Sequence, residues 1–319
     1  MKDKNIGLIG LGNVGSKIAN SLIIGGYNLF IYDLEKNKYQ KLIKKGAIKS
    51  SSIKSICDSC TVIITCLPTV KSIIEVVNGK RGLSQYFNKK HLWIEMSTTD
   101  EKQMKKLSQI IEKKGADVLE SPLTGGAHRC EKGNIGILVG GKKKVFNRSF
   151  PILSKIGYEI IHVGKIGNAS TLKVVTNYLA STNLVSLGEA LMICKKYGIN
   201  LKKSYHAIRI SSGNSFVHET ESKVILSGTY DVGFTMDLVC KDVNLFNKLT
   251  NKFQIPAEVS KLMNKIFKKG LKKYGKRSFS TGIVKLLEEK CKENLRASNF
   301  PKILIDDKKR KKGIEVRIK

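Results

Sequence analysis

The chain has 319 residues, 41% hydrophobic and 26% charged, enough for two domains with sizeable cores. No run of about 18 apolar residues occurs, so no segment is expected to span a membrane. The formal charge of +32 rests on 58 basic residues of which only eight are Arg, and with aromatics at 7% the composition lacks the clustered Arg and interleaved aromatics of a nucleic-acid site.

The lysines read instead as a compositional bias of exposed surfaces, whose field steers small anions. Seven Cys without a regular framework fit reduced thiols in a cytoplasmic protein. The first residues carry two lysines, but the apolar stretch after them is short and broken by Gly7 and Gly10. They do not read as a signal peptide.

Residues 5–9, NIGLI, form an apolar run ending in Gly10, Gly12 and Gly15, with Asn13 and Val14 between the last two. An amphipathic segment follows to Gly25 and Gly26, and a second run at 28–32, NLFIY, ends in Asp33. Three glycines at this spacing are a weak signal alone. Between a strand and a helix, with an acid 18 residues after the last glycine, they form a dinucleotide fingerprint. The glycines let the backbone approach a pyrophosphate at a helix N-terminus, where N–H groups are available. Asp33 is expected to accept from the ribose hydroxyls and to repel a 2′-phosphate, so NAD is expected as cofactor in preference to NADP.

Apolar runs at 61–66, 91–95 and 117–120, separated by helical stretches, continue the alternation of parallel βαβ units. Ligands lie outside the carboxyl ends of such strands, here at Cys66–Thr69, Met96–Asp100 and Glu120–Gly126. Thr99 or Asp100 is expected to cap the helix running to Lys114. Cys57 and Cys60 resemble half of a zinc or redox site. No second ligand pair accompanies them, and they precede a strand rather than follow one, so no metal is expected. A short helix at 127–132, a strand at 135–139, a helix at 143–156 and a strand at 159–163 complete the first half.

Residues 164–198 run from a glycine-punctuated turn to Gly198 without Pro, and Asn168 is the expected N-cap. About 28 helical residues span roughly 42 Å, enough to leave one domain and enter another. Leu172, Val175 and Leu179, with Val174, Tyr178 and Val185 on the adjoining stripe, predict a helix buried on several sides. Lys173 stands out there, with Ser170 and Asn177 on its face. A lysine on such a helix either snorkels to solvent or does chemistry. Beyond it, helices are expected at 201–212, 216–226, 234–251, 256–273 and 279–295, with a polar break at Ser211–Ser215 that could face a cleft.

The fold class expected is α/β: an N-terminal Rossmann-type doubly wound sheet (1–163), then an all-α C-terminal substrate and dimerisation domain (164–296) joined by the long helix. Residues 297–319 lose helical periodicity, are dense in charge, and are expected to form a basic flexible tail or surface annex, dispensable for chemistry.

From about Ile6 to Glu289 the chain resembles the β-hydroxyacid dehydrogenases, the group that includes 3-hydroxyisobutyrate dehydrogenase and tartronate semialdehyde reductase. The resemblance rests on ordered motifs: IGLIGLGNVG, CLPTVKSI, EMSTTD, ESPLTGGAHRCEKGNIGILVGG, GKIGNASTLKVVTN, LVCKDVNL and YGKRSFS. It implies an NAD-dependent oxidoreductase. Thr124, Gly125 and Gly126 would hold the substrate carboxylate, Lys173 would be the catalytic lysine and Asn177 its companion. Leu67, Pro68, Thr98 and Lys241 would contact the cofactor.

Ala169, Thr176 and the stretch Lys276–Ser278 depart from the family pattern and leave the individual substrate open. His128 and Arg129 follow the glycine pair either as selectors of substrate or as a solvated helix start. Burial would lower the pKa of Lys173, suiting it to exchange a proton with the substrate hydroxyl. The resemblance also implies a homodimer or homotetramer. The alternatives are a decarboxylating enzyme like 6-phosphogluconate dehydrogenase, which would carry a His where this chain has Thr176, and a non-catalytic basic nucleic-acid-binding relative. An imine reductase is disfavoured by the presence of the lysine.

Overall fold

The computed structural model describes residues 4–318; residues 1–3, with the first of the two N-terminal lysines, and residue 319 at the end of the expected tail lie outside the described residues. The strands are β1 (Asn5–Ile9), β2 (Asn28–Tyr32), β3 (Ile48–Lys49), β4 (Val62–Thr65), β5 (Leu92–Glu95), β6 (Asp117–Glu120), β7 (Leu123–Thr124), β8 (Ile135–Gly141), β9 (Gly157–His162) and β10 (Ile314–Glu315). The helices among and before the later strands are α1 (Asn13–Ile24), α2 (Gln40–Ile43), α3 (Ile53–Ser59), α4 (Val70–Asn78), α5 (Glu101–Glu112), α6 (Ala127–Glu131) and α7 (Lys143–Ile156). After them come α8 (Asn168–Lys196), α9 (Leu201–Arg209), α10 (Phe216–Ser227), α11 (Met236–Lys252), α12 (Glu258–Tyr274) and α13 (Lys285–Cys291). The chain divides into two compact units, Met1–Lys173 with Asp306–Lys319, and Val174–Ile305.

In the first unit the strands run β10-β9-β8-β6-β5-β4-β1-β2-β3, with β7 paired to β8. From β3 to β6 all neighbours are parallel, in the order of a dinucleotide-binding sheet, and β8 joins β6 antiparallel. Alternation along each strand sends side chains to two separate cores. Ile6, Leu8, Val62, Ile64, Leu92, Ile94 and Leu119 join the cluster shared with α1 and α7. Ile9, Ile63, Trp93 and Val118 join the one shared with α3, α4 and α5. A sheet buried on both faces is the doubly wound architecture expected. Gly7 contributes by lacking a side chain: a Cβ there would lie 2.5 Å from Ile56 Cγ2, so α3 packs directly on the backbone.

The expected flexible tail is corrected in part. Residues 306–318 are tied to the first unit through β10, which pairs parallel with β9. Asn134, 2% exposed, donates to Asp306 Oδ2 at 2.8 Å and accepts from the Lys311 N–H at 3.0 Å. Satisfying that buried amide and pairing the open edge of β9 offset the charge density that suggested a solvated segment. The unit boundary lies within α8, between Lys173 and Val174, because the first turn of α8 is hydrogen-bonded to the end of β6.

The second unit is helical around Leu184, Leu187, Leu191, Val239, Val243, Met263 and Phe267. Gly188 and Gly270 let Val284 and Ile283 approach closely, at 3.0 Å and 2.5 Å from the positions a Cβ would take. The helix expected over 279–295 is instead a 3-10 turn, Ser280–Val284, followed by α13. The expectation that α8 is buried on several sides holds for Val174, 1% exposed, but not for Leu172 and Leu179, which are 40% and 53% exposed.

Candidate active site

The turn after β1 is built by glycines with different duties. Gly10 has φ +97°, and a Cβ there would lie 2.2 Å from the Cys66 carbonyl oxygen, so β1 and β4 part only by a backbone's width. A Cβ on Gly15 would meet the Gly10 oxygen at 2.0 Å, which brings α1 hard against the turn. Gly12 is the exception, because nothing lies within 4 Å of its Cβ position. It forms the N-cap of α1, and neither a capping side chain nor an acid occupies that first turn. An open, side-chain-free helix start at the switch point between β1 and β4 fits a dinucleotide pyrophosphate. Asn13 accepts from Lys17 Nζ at 3.0 Å and Val14 packs on the sheet core.

Asp33 follows β2 and reaches the same turn. Its Oδ2 accepts from the Leu11 N–H at 2.6 Å and its Oδ1 from the Glu35 N–H at 2.9 Å. Each oxygen keeps a further lone pair able to accept a hydrogen bond. Lys38 Nζ lies 3.7 Å from Oδ2, a neighbour that the sequence alone did not reveal.

Leu67 and Thr98, both half-buried, and the exposed Pro68 sit at the ends of β4 and β5, held by a buried chain that sequence reasoning missed. The Trp93 indole N–H donates to Thr65 Oγ1 at 2.7 Å, and the Thr65 hydroxyl donates to Glu95 Oε2 at 2.6 Å. The other oxygen of Glu95 accepts from the Ser97 N–H, and Ser97 Oγ accepts from the Leu67 N–H at 2.7 Å. Asp100, one of the two expected caps, accepts from the Gln103 N–H at 2.8 Å.

At the end of β6, Glu120 is 1% exposed and organises the next turn and helix. Its Oε1 accepts from the N–H groups of Gly167 at 2.6 Å and Ala169 at 2.9 Å. Its Oε2 accepts from the Ser170 N–H at 3.3 Å and from the Ser170 hydroxyl. Burial pushes the Glu120 carboxyl above its usual range, against the pull of these four donors. Asn168, expected as N-cap, is the first residue of α8, and its side chain donates to the Val163 oxygen at 2.7 Å. The carboxylate from β6 satisfies the helix start in its place.

Four residues beyond Glu120, Thr124 ends β7, and Gly125 and Gly126 follow with φ of +106° and +87°. Both positive φ values are backbone conformations that side chains rarely adopt, which glycine accommodates here. Arg129 Nη1 lies 3.2 Å from the Cβ position of Gly125, and the His128 ring lies 2.8 Å from that of Gly126. Arg129 also approaches Glu159 at 4.0 Å. Three residues beyond Ser170, Lys173 is 9% exposed.

In the second unit the Asn177 amide donates to Asp242 Oδ2 at 2.6 Å, and Lys241 Nζ lies 3.3 Å from Asp242 Oδ1. Asp242 is 1% exposed, so the Lys241–Asp242 pair quoted from the sequence contains a buried acid that orients Asn177. Ser215, from the polar break at 211–215, is occupied as the cap of α10, accepting from the His218 N–H at 3.0 Å. Cys57 and Cys60 are buried, and burial pushes the Cys57 thiol up to about 12, as befits an inert structural thiol. Among the described residues no group of three His, Cys, Asp or Glu is arranged to hold a metal ion, and no helix is long and apolar enough to cross a membrane.

Comparison with known proteins agrees with this geometry along nearly the whole chain. Residues 5–164 match the family model described as the NAD binding domain of 6-phosphogluconate dehydrogenase. Residues 167–287 match that described as the NAD-binding domain of NADP-dependent 3-hydroxyisobutyrate dehydrogenase. The 2-(hydroxymethyl)glutarate dehydrogenase of Eubacterium barkeri is 30% identical over 289 residues, covering 90% of this chain and 96% of that enzyme. The mitochondrial 3-hydroxyisobutyrate dehydrogenase of Rattus norvegicus is 28% identical over 292 residues, covering 89% of this chain and 87% of that one. A solved 3-hydroxyisobutyrate dehydrogenase from Salmonella typhimurium shares the fold, with a TM-score of 0.80 at 20% identity over 88% of this chain and 99% of that one. A dinucleotide cradle at the sheet's switch point, followed by a helical unit that matches the 3-hydroxyisobutyrate dehydrogenase model, places the chain in the β-hydroxyacid dehydrogenase family.

Proposed function

We propose that this β-hydroxyacid dehydrogenase transfers hydride between NAD(H) and a small β-hydroxyacid or its semialdehyde, with Lys173 exchanging the proton. The observation that carries the reading is the position of Lys173, a lysine only 9% exposed. It lies one turn into a helix whose start is fixed to the same strand that leads into the Thr124, Gly125 and Gly126 turn. When bound, the nicotinamide supplies the hydride acceptor or donor.

The chain's own residues do the rest. Gly10, Gly12, Asn13, Val14 and Gly15 receive the pyrophosphate, Asp33 the ribose, and Leu67, Pro68, Thr98 and Lys241 further parts of the cofactor. The turn Thr124, Gly125 and Gly126 anchors the substrate carboxylate. In oxidation the neutral Lys173 amine takes the hydroxyl proton as hydride leaves the carbon, and in reduction the ammonium returns it to the alkoxide oxygen. Asn177, held by Asp242, orients the reacting oxygen without competing for the proton.

Activity against a panel of three- and four-carbon hydroxyacids, with NAD and NADP in parallel, tests the reading. Lys173→Ala is expected to lower kcat by about 10²–10⁴-fold with cofactor affinity retained. Lys173→Arg is not expected to rescue, because a guanidinium stays protonated and its fork misplaces the donor. Near-wild-type turnover in Lys173→Ala would return this lysine to a packing role.

Arg129 beside Gly125 favours a second reading of substrate size. A dicarboxylic substrate, of the kind named for the Eubacterium barkeri relative, would place its second carboxylate on Arg129. Arg129→Ala should then raise KM for a dicarboxylate by at least about tenfold, the loss of one charge-assisted pair, and leave a monocarboxylate unaffected.

The wider reading includes a homodimer or homotetramer in the cytoplasm with no specific nucleic-acid partner. Leu172, Leu179 and Ile193, exposed on one heptad-spaced stripe of α8, support a self-association face. Sedimentation showing only monomers at micromolar concentration would remove that part.

A further inference from the structure

We propose that Glu120 is a positioning residue for Lys173, clamping the start of α8 to the strand that feeds the substrate-anchoring turn. This rests on the proton-transfer reading of Lys173. The carboxylate is a group to which both parts are referenced: the Thr124 turn begins four residues after it, and Lys173 follows three residues after its partner Ser170. It receives three backbone N–H groups and one hydroxyl from Gly167, Ala169 and Ser170. Such bonds to an anion are stronger than neutral ones, and the helix N-terminus adds its own positive end.

The surroundings are shaped for the carboxyl. β6 pairs Glu120 with Gly140 on β8, and a Cβ on Gly140 would lie 2.3 Å from Glu120 Oε1. Any other residue at Gly140 would displace the acid. Gly167, with φ +101°, turns its N–H toward Oε1 in a conformation that a side chain would strain. A purely structural cap would need only to satisfy the free N–H groups, which a helix start in solvent does with water. Burying an acid for the task costs desolvation, and the return is a helix start of fixed position relative to β6.

Glu120→Gln tests this, since it keeps the length and replaces one acceptor oxygen by an NH₂ facing donors. The loss of geometry should appear in kcat, because displacement of a reacting group by about 1 Å can cost on the order of 10²-fold. A fall in kcat of about tenfold or more is expected, with NAD affinity within about threefold of wild type. Amide hydrogen exchange in residues 165–172 should rise in the same variant. Wild-type kcat in folded Glu120→Gln overturns the proposal, whatever its melting temperature, because a stabilising cap alone would move only that temperature.

Should Glu120→Gln fail to fold, Ser170→Ala decides, since it removes only the hydroxyl donor. A kcat lowered about threefold or more at unchanged NAD affinity supports the clamp, and an unchanged kcat overturns it. Lys173→Ala is measured alongside. Near-wild-type turnover there would sink the lysine reading and this inference with it, and an exchange rise persisting in Glu120→Gln would show that the failure lies with the lysine rather than the clamp.

Discussion

Asp33 does two jobs with one carboxylate. It fixes the Gly10–Gly15 turn through the Leu11 N–H, and under the proposed function its remaining lone pairs serve a ribose. A 2′-phosphate placed there would meet a fixed negative charge, with Lys38 Nζ 3.7 Å from Oδ2 as partial compensation. NAD is therefore expected to exceed NADP in kcat/KM. Asp33→Ala should narrow the gap by about tenfold, the equivalent of roughly 1.4 kcal/mol, and Asp33→Ala with Lys38→Ala should narrow it less, because the phosphate then lacks its cation. Wild-type preference for NADP would sink the argument, and equal selectivity in the two variants would exclude Lys38. Asp33 was legible from its distance to Gly15 in the sequence. Lys38 was not, because its approach depends on the 3-10 turn Lys36–Lys38, for which the local sequence carries no periodic signal. Glu95 and Glu120 were hidden for a related reason. An acid at a strand end reads as the start of a solvated turn, and only the packing of the following loops makes it a buried acceptor.

At the scale of elements, the strands whose side chains alternate between two cores were legible, since both faces must be apolar. The carboxyl-terminal strand was not. β10 has two residues, and its pairing depends on β9 lying open and on Gly313, where a Cβ would sit 2.6 Å from Ser154 Cα. Truncation before Asp306 removes that strand and leaves the buried Asn134 amide without Asp306. An unsatisfied buried polar group costs about 1–3 kcal/mol, so the melting temperature should fall by roughly 5 °C or more. kcat per folded molecule should be kept, because the segment carries none of the residues assigned to cofactor or substrate. A truncated protein with wild-type melting would show that the strand contributes no stability. Normal folding with lost turnover would place the segment in the active site. The break of the expected helix at 279–295 has the same origin, since the 3-10 turn fits Ile283 and Val284 into the second unit's core, at 3% and 4% exposure, where a straight helix was expected from composition.

For the whole molecule, the charge of +32 sets how ligands arrive rather than how the chain folds. Both the hydroxyacid carboxylate and the dinucleotide pyrophosphate are anions, so a surface rich in lysine raises their local concentration. The effect is long-ranged only while the Debye length is long: about 30 Å at 0.01 M salt and about 8 Å at 0.15 M. kcat/KM for the acid should therefore decline over that range while kcat, governed by bound groups, stays nearly constant. The same field would attract a nucleic-acid backbone. Aromatics at 7% and the scarcity of Arg leave little to read bases with, so binding to DNA should be weak, indifferent to sequence and lost steeply with salt through counterion release. Measuring kcat/KM and DNA binding on one preparation across the same salt series separates the two roles. A flat kcat/KM with tight, sequence-selective DNA binding at physiological salt would mean that the lysines serve a nucleic-acid partner. A declining kcat/KM with DNA binding that vanishes by about 0.15 M salt would mean that they serve the small anions of the dehydrogenase reaction.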